Sequence, residues 1–398
     1  MNRYICLLFS IITLCACSPN NSNLTLIVKV PENTPLNAKL TLGGNFNGWD
    51  PTKEGYELNA KGNGIFNYTF PSLVKGKVLS FKVTRGNWDT VEISETGANT
   101  QNRNHTITGN SEIINIKVSD WADLSTKEAP STITGSVILE DIELPTFKGP
   151  RKVRIYLPPN YENSNERFPV IYMTDGQNVF DIKTANAGEW KMDELMENFA
   201  DNGSPLTSIV VAIDHAGDNR RMEYLPFSHE GKIAPTIDGN NLAKAKGKEF
   251  ADWLVHELKP NIDQRYRTKP DREHTSLMGS SMGGLIACYT ALRHQEVISK
   301  AACISSAFLK RLVGSHFIDY IKQTPKRQPM KFHIDMGDNE FDLFGDNILK
   351  ETQEVYEALL SAGFKKQELR YQIIQGGTHD EPSWRSRTED ILLWLNEK

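Results

Sequence analysis

Short apolar runs alternating with polar residues fill the first third of the chain. "LTLIVKV", "KLTLGG", "IFNYTF", "VLSFKVTR", "HTITG" and "IINIKV" are alternating or β-branched, and Gly, Asn and Pro separate them. A period of two turns every second side chain to one face, so these runs predict a small all-β sandwich over residues 24–120. "SDWADLSTKEAPSTITGS" then brings polar residues and a proline without periodicity, which predicts a linker over 121–137.

From residue 138 to 398 strands and helices alternate. "KVRIYLP", "FPVIYMTDG", "IVVAIDH", "HTSLMG", "AACISS", "KFHIDMG" and "LRYQIIQ" are apolar enough to be buried on both faces. "KGKEFADWLVHELKPNIDQRY" places Phe250, Leu254, Leu258 and Ile262 on one helical face, and "ILKETQEVYEALLSAG" predicts another helix. Such a series implies a largely parallel sheet covered by helices on both sides. Functional groups are then expected at the carboxyl ends of its strands.

One of those ends carries Gly279-Ser280-Ser281-Met282-Gly283, a G-x-S-x-G pattern between a predicted strand and a predicted helix. The flanking glycines permit the sharp turn that lifts a nucleophilic hydroxyl above the sheet, and the register selects Ser281 over Ser280. A serine needs a base, and the base needs an orienting carboxylate. Of the histidines after Ser281, His294 falls in a helix, His333 in an apolar strand and His316 in a helical segment. His379 follows the last strand in "IIQGGTHDEPSW" and is the expected base. The acid is expected in "DNEFDLFGD", which offers Asp338, Glu340, Asp342 and Asp346; Asp335 is inside the strand. Two backbone amides complete the chemistry as an oxyanion hole, expected at Met282 and at Gln177 after "VIYMTDG".

Together, "RIYLPPNY", "FPVIYMTDGQNVFD", "IVVAIDHAGDNRRMEYLPF", "GSSMGGLIA" and "QGGTHDEPSW" resemble the esterase family that groups esterase D, enterochelin-esterase-like proteins and feruloyl and acetylxylan esterases. The resemblance runs from about Glu140 to the C-terminus and implies the α/β-hydrolase fold. It implies Ser281 and His379 as nucleophile and base. It also implies an acid three residues beyond the strand's terminal glycine, here Glu340 where the family more often has Asp, so Asp338 and Asp342 stay open. Arg221, Glu223 and Tyr224 match the family's R-x-E-Y segment and are expected beside the active site, as substrate wall or as structural ion pair and packed tyrosine. In the first domain, "LGGNFNGWDP" with Trp49 and "FKVTRGNWDTVE" with Trp88 resemble starch-binding-type carbohydrate-binding modules, immunoglobulin-like in fold. That resemblance implies Trp49 and Trp88 as a stacking platform for sugars, against the alternative of core tryptophans.

Charge and the amino terminus narrow the setting. A net charge of −5 gives no footprint for nucleic acid. "MNRYICLLFSIITLCACSPN" has the order of an export signal, and "LCAC" resembles the bacterial lipobox. A signal over 1–17 is expected, with Cys17 lipidated, Cys15 a weaker alternative, and 18–23 a tether. Ser18 after the cysteine implies outer-membrane sorting, so membrane contact is expected through the anchor alone. Cys288 and Cys303 sit in apolar segments and are expected as buried hydrophobes, and no Cys or His cluster suggests a metal. The expected activity is serine carboxylesterase action on an ester-bearing glycan without a cofactor. The alternatives are a siderophore trilactone esterase and a non-catalytic glycan-binding lipoprotein.

Overall fold

A computed structural model describes residues 21–144, 149–228, 245–313, 315–340 and 347–397. The export signal, Cys17, and the alternative acids Asp342 and Asp346 lie outside the described residues.

Among the described residues, nine strands build the first domain: β1 Asn21–Lys29, β2 Thr41–Gly44, β3 Asn59–Gly62, β4 Ile65–Val74, β5 Val78–Thr84, β6 Glu92–Ile93, β7 Arg103–Thr106, β8 Glu112–Lys117 and β9 Asp120–Trp121. They form sheets of order β3-β4-β1-β8 and β2-β5-β7, with a small β6-β9 pair. Alternation in "LTLIVKV" works as expected: Leu24, Leu26 and Val28 are buried, while Thr25, Ile27 and Lys29 between them are partly or fully exposed. They share one core with Leu42, Phe81 and Val83 of the second sheet. β1 pairs antiparallel with β4 and parallel with β8. The expected boundaries shift at both ends. Asn21–Asn23, read as tether, belong to β1. Trp121, read as linker, is fully buried in this core, with its indole N–H donating to Thr34 Oγ1 at 2.8 Å.

Among the described residues the second domain holds one eight-stranded sheet: β10 Ser136–Glu143, β11 Pro150–Leu157, β12 Val170–Thr174, β13 Ile209–Ile213, β14 Thr275–Ser280, β15 Lys300–Ile304, β16 Lys331–Gly337 and β17 Leu369–Ile374. The order is β10-β11-β13-β12-β14-β15-β16-β17, antiparallel at β10/β11 and β11/β13 and parallel from there on. β12 is buried on both faces: Val170 and Tyr172 enter one core, Ile171 and Met173 the other. The apolar Val170, Ile171 and Met173 side chains each contribute about 1.5–3 kcal/mol by leaving water. The helix expected over 246–266 forms with a π turn at Leu254–Leu258 between Gly247–Trp253 and Lys259–Arg265. Pro260 lacks the N–H that a regular α-helical ladder would use there, and the wider turn absorbs the break. The four predicted core residues of this helix are all buried.

Strand order reverses across β12, which lies between β13 and β14. At such a switch point, the loops leaving the carboxyl ends open a crevice.

Candidate active site

Ser281 joins β14 to the helix Met282–Arg293, with φ 55° and ψ −124°. That is a left-handed conformation costly for a residue with a Cβ, held here because the turn is tied down. The Ser281 N–H donates to the Ile304 carbonyl at 3.0 Å, and the Ser281 carbonyl accepts from Ala307 at 2.9 Å. Close packing explains both glycines of the motif. A Cβ at Gly279 would stand 2.3 Å from Thr174 Oγ1 and 2.5 Å from the Gly283 carbonyl; one at Gly283 would stand 2.2 Å from Thr174 Oγ1. Ser281 therefore sits at the positive end of a helix, where developing negative charge is favoured.

His379 lies in the loop after β17, and its Nδ1 is 3.0 Å from Glu340 Oε2. Glu340 is only 2% exposed, and its other oxygen accepts from the Gly337 N–H at 2.7 Å and from Ser305 Oγ. Both oxygens are thus engaged, which fixes the carboxylate as an acceptor for the imidazole. Trp384 closes the far side, meeting the His379 ring edge-to-face at 4.9 Å and stacking on Trp190 at 5.8 Å. Asp338 is drawn elsewhere: its Oδ1 accepts from the Gly376 N–H at 2.7 Å, bracing the β16 loop against the β17 loop. Asp335 pairs with His333 and with Arg387. Burial would raise its carboxyl, but those two partners hold it far below the usual carboxylate range.

Sequence reasoning missed a network behind the acid. Ser305, with φ 43°, follows β15 and donates to Glu340 while accepting from Arg387 Nη2 at 2.9 Å; its N–H donates to Asp335 Oδ1 at 2.9 Å. Arg387 precedes the last helix, Thr388–Asn396, far from the elbow in sequence. The first serine of "CISS" and the second arginine of "WRSR" carry no motif, so only the folded arrangement links them.

Asp175 follows β12 in a left-handed conformation, φ 56°, and opens the short turn Gly176–Asn178. Gln177 and Met282 each sit in the first turn of a helical segment, where backbone N–H groups have no intrahelical acceptor. The Gln177 side chain is turned away, with its Oε1 accepting from the His215 N–H at 3.3 Å. The expectation of a substrate wall at Glu223 and Tyr224 is corrected by their burial, since both are 0% exposed. Glu223 holds Arg151 through two hydrogen bonds of 2.6 and 3.0 Å, and the Tyr224 hydroxyl accepts from the Asp175 N–H at 3.2 Å. Among the described residues the wall is formed by Arg220 and not by Arg221; its guanidinium grips Asp175 at 2.6 and 2.8 Å.

Ser281, His379, Gln177 and Arg220 open into a cleft of about 580 Å³ whose opposite side is the first domain. Trp49, Lys82, Trp88, Asn99 and Asn102 line it. Trp88 is 40% exposed, its indole N–H donates to the Trp49 carbonyl at 3.2 Å, and the two rings lie 6.3 Å apart. Neither tryptophan is a core residue. Hydrogen bonds cross between the domains at Lys82–Asn186 (2.8 Å), Asn99–Ala185 (2.9 Å) and Asn104–Asp380 (3.3 Å). Cys288 and Cys303 are buried free thiols. The one potential metal cluster among the described residues, Asp252, His256 and His294, has its carboxylate bound to Arg293 at 2.6 and 2.9 Å.

Comparison with known proteins supplies the family. The profile described as "Putative esterase" matches residues 145–395, well over half of the chain. The Bacillus subtilis (strain 168) protein YbbA, described as uncharacterized, is 23% identical over 251 residues, covering 63% of this chain and 94% of that one. An endo-1,4-beta-xylanase/feruloyl esterase of Xylanibacter ruminicola is 28% identical over 245 residues, 61% of this chain but only 28% of the relative. Among solved structures, the enterobactin esterase of Shigella flexneri in the presence of enterobactin aligns over 93% of this chain and 92% of its own, with a TM-score of 0.57 and 14% identity, a likeness of fold. With the elbow, the hydrolase-type sheet and this match in hand, the chain belongs to the putative esterase family and is a carboxylic ester hydrolase.

Proposed function

We propose that the protein is a serine esterase acting on an ester-decorated glycan, by way of an acyl-enzyme. Ser281 Oγ attacks the ester carbonyl and gives its proton to His379. Buried Glu340 holds the ring through Nδ1 and stabilises the imidazolium. The Met282 and Gln177 amides receive the oxyanion, His379 returns the proton to the departing alcohol, and water then cleaves the acyl-enzyme. The observation that carries this reading is the 3.0 Å contact between His379 Nδ1 and an almost wholly buried Glu340, in the cleft onto which Ser281 opens.

The glycan assignment rests on Trp49 and Trp88. Sugars stack their C–H faces on aromatic rings, and these two rings line the cleft that holds the nucleophile. An anionic siderophore complex would call for a basic cleft. Here the cations Lys82 and Arg220 are offset by Asp89, Asp175 and Glu381, and Arg220 is already gripped by Asp175. A panel of feruloyl, acetyl and trilactone esters decides between them. The expected result is preference for an acyl-sugar, with Trp88→Ala raising KM for it by about tenfold, the worth of one stacking contact. Preference for the trilactone would overturn the glycan reading while leaving the esterase intact.

A further inference from the structure

Two charged side chains in the cleft have no part in the proposed chemistry. Lys82 comes from β5 of the first domain and is only 4% exposed, yet it lines the cleft. An ammonium carries three donors, and among the described residues that of Lys82 has one partner, the Asn186 carbonyl at 2.8 Å. Glu381 comes from the second domain, two residues past His379, and is 6% exposed. One of its oxygens accepts from the Asn178 amide at 2.7 Å. The two charges influence each other but form no ion pair.

Each is short of the solvation a charge requires. Burial brings the Lys82 ammonium down to about 8, against the pull of Glu92 and Glu381. Burial likewise pushes Glu381 up to about 7, aided by Asp175 and Asp380. Buried charges of this kind are stable only with a partner to complete them. A donor-rich ammonium and an acceptor carboxylate, on opposite domains of one cleft, complement a group that accepts from one and donates to the other. A hydroxyl does both; an anion would be attracted by Lys82 and repelled by Glu381.

We propose that Lys82 and Glu381 form a hydroxyl-reading subsite across the two domains, where a sugar hydroxyl of the substrate accepts from the Lys82 ammonium and donates to the Glu381 carboxylate. The inference rests on the esterase reading above and extends it to the alcohol side of the ester. It gives the first domain a role in selecting substrate beyond the tryptophans.

The test compares methyl and arabinosyl esters sharing one acyl group, ferulate or acetate, as the ratio of their kcat/KM values. Wild type should favour the arabinosyl ester, and Lys82→Met and Glu381→Gln should each lower the ratio by about tenfold or more, as expected when a buried hydrogen-bonding group loses its partner. The methyl ester rate in each variant reports folding and chemistry independently of the subsite. The proposal is overturned if wild type shows no preference, or if Lys82→Met depresses both esters equally, which would make Lys82 an interdomain strut only. Wild type inactive on methyl and arabinosyl esters alike would instead remove the underlying esterase reading.

Discussion

Glu340 illustrates what one residue owes to its surroundings. Sequence spacing offered several acids in one loop, and no local pattern separates them, because a carboxylate's role depends on which groups from other strands reach it. In the fold, Asp338 is spent on the Gly376 amide, whereas Glu340 is buried and meets His379, Ser305 and Gly337. Ser281 was more legible, since the elbow is a local conformation and its glycines are local requirements. Replacing Glu340 by Gln should leave KM within about threefold but lower kcat by roughly 10³-fold or more, because the amide favours the wrong imidazole tautomer. Steady-state kinetics on an aryl acetate would show it; near-normal kcat would remove Glu340 from the role. Glu381 gives a pH signature at the same scale. Its carboxyl is raised from the ordinary 4.5 to about 7, by burial and then by Asp175 and Asp380. Between those values the folded state keeps a proton that the unfolded chain releases, so this group's contribution to stability is full below about 4.5 and is lost as pH rises through 7. Glu381→Gln lacks the titration. Its melting temperature relative to wild type should climb steadily from pH 4.5 to 7.5, and parallel profiles would contradict the assignment.

At the level of elements, the ends of five strands make the site: β12 brings Gln177, β14 Ser281, β15 Ser305, β16 Glu340 and β17 His379. Buried strands and amphipathic helices were legible because burial imposes period and composition. The boundary at 121–137 was not, since Trp121 stands in a mostly polar stretch without periodicity and its burial depends on strands remote in sequence. Arg387 was equally hidden, although it ties the last helix to β15 and β16 through Ser305 and Asp335. Replacing it with Met leaves Asp335 and its carboxylate buried with only His333 and the Ser305 amide. Breaking a buried ion pair in this way costs about 3–5 kcal/mol, which denaturant unfolding would register; a change below about 1 kcal/mol would show the pair is dispensable. Arg387→Lys should not restore stability, because a lysine cannot reproduce the bidentate grip on Asp335 together with the Ser305 contact.

Across the whole molecule, two domains close one cleft. Their separate folds could be read from the change in hydrophobic period near residue 138, but their junction could not. Lys82, Asn99 and Asn104 sit in ordinary strand or loop contexts, and only docking brings them to Asn186, Ala185 and Asp380. The R-x-E-Y segment shows the same limit from the other side. Resemblance brought Arg221, Glu223 and Tyr224 to the active-site neighbourhood, while packing set Glu223 against Arg151 and Tyr224 beneath Asp175 and left Arg220 on the surface of the cleft. One cleft is lined both by aromatic rings of the β domain and by the strained Ser281, and the proposed function depends on Ser281 being the nucleophile. The direct test is kcat/KM for p-nitrophenyl acetate in wild type and Ser281→Ala, with folding checked by circular dichroism. The predicted result is a loss of at least about 10³-fold in a folded variant; a folded Ser281→Ala protein retaining more than roughly a tenth of wild-type activity would contradict it.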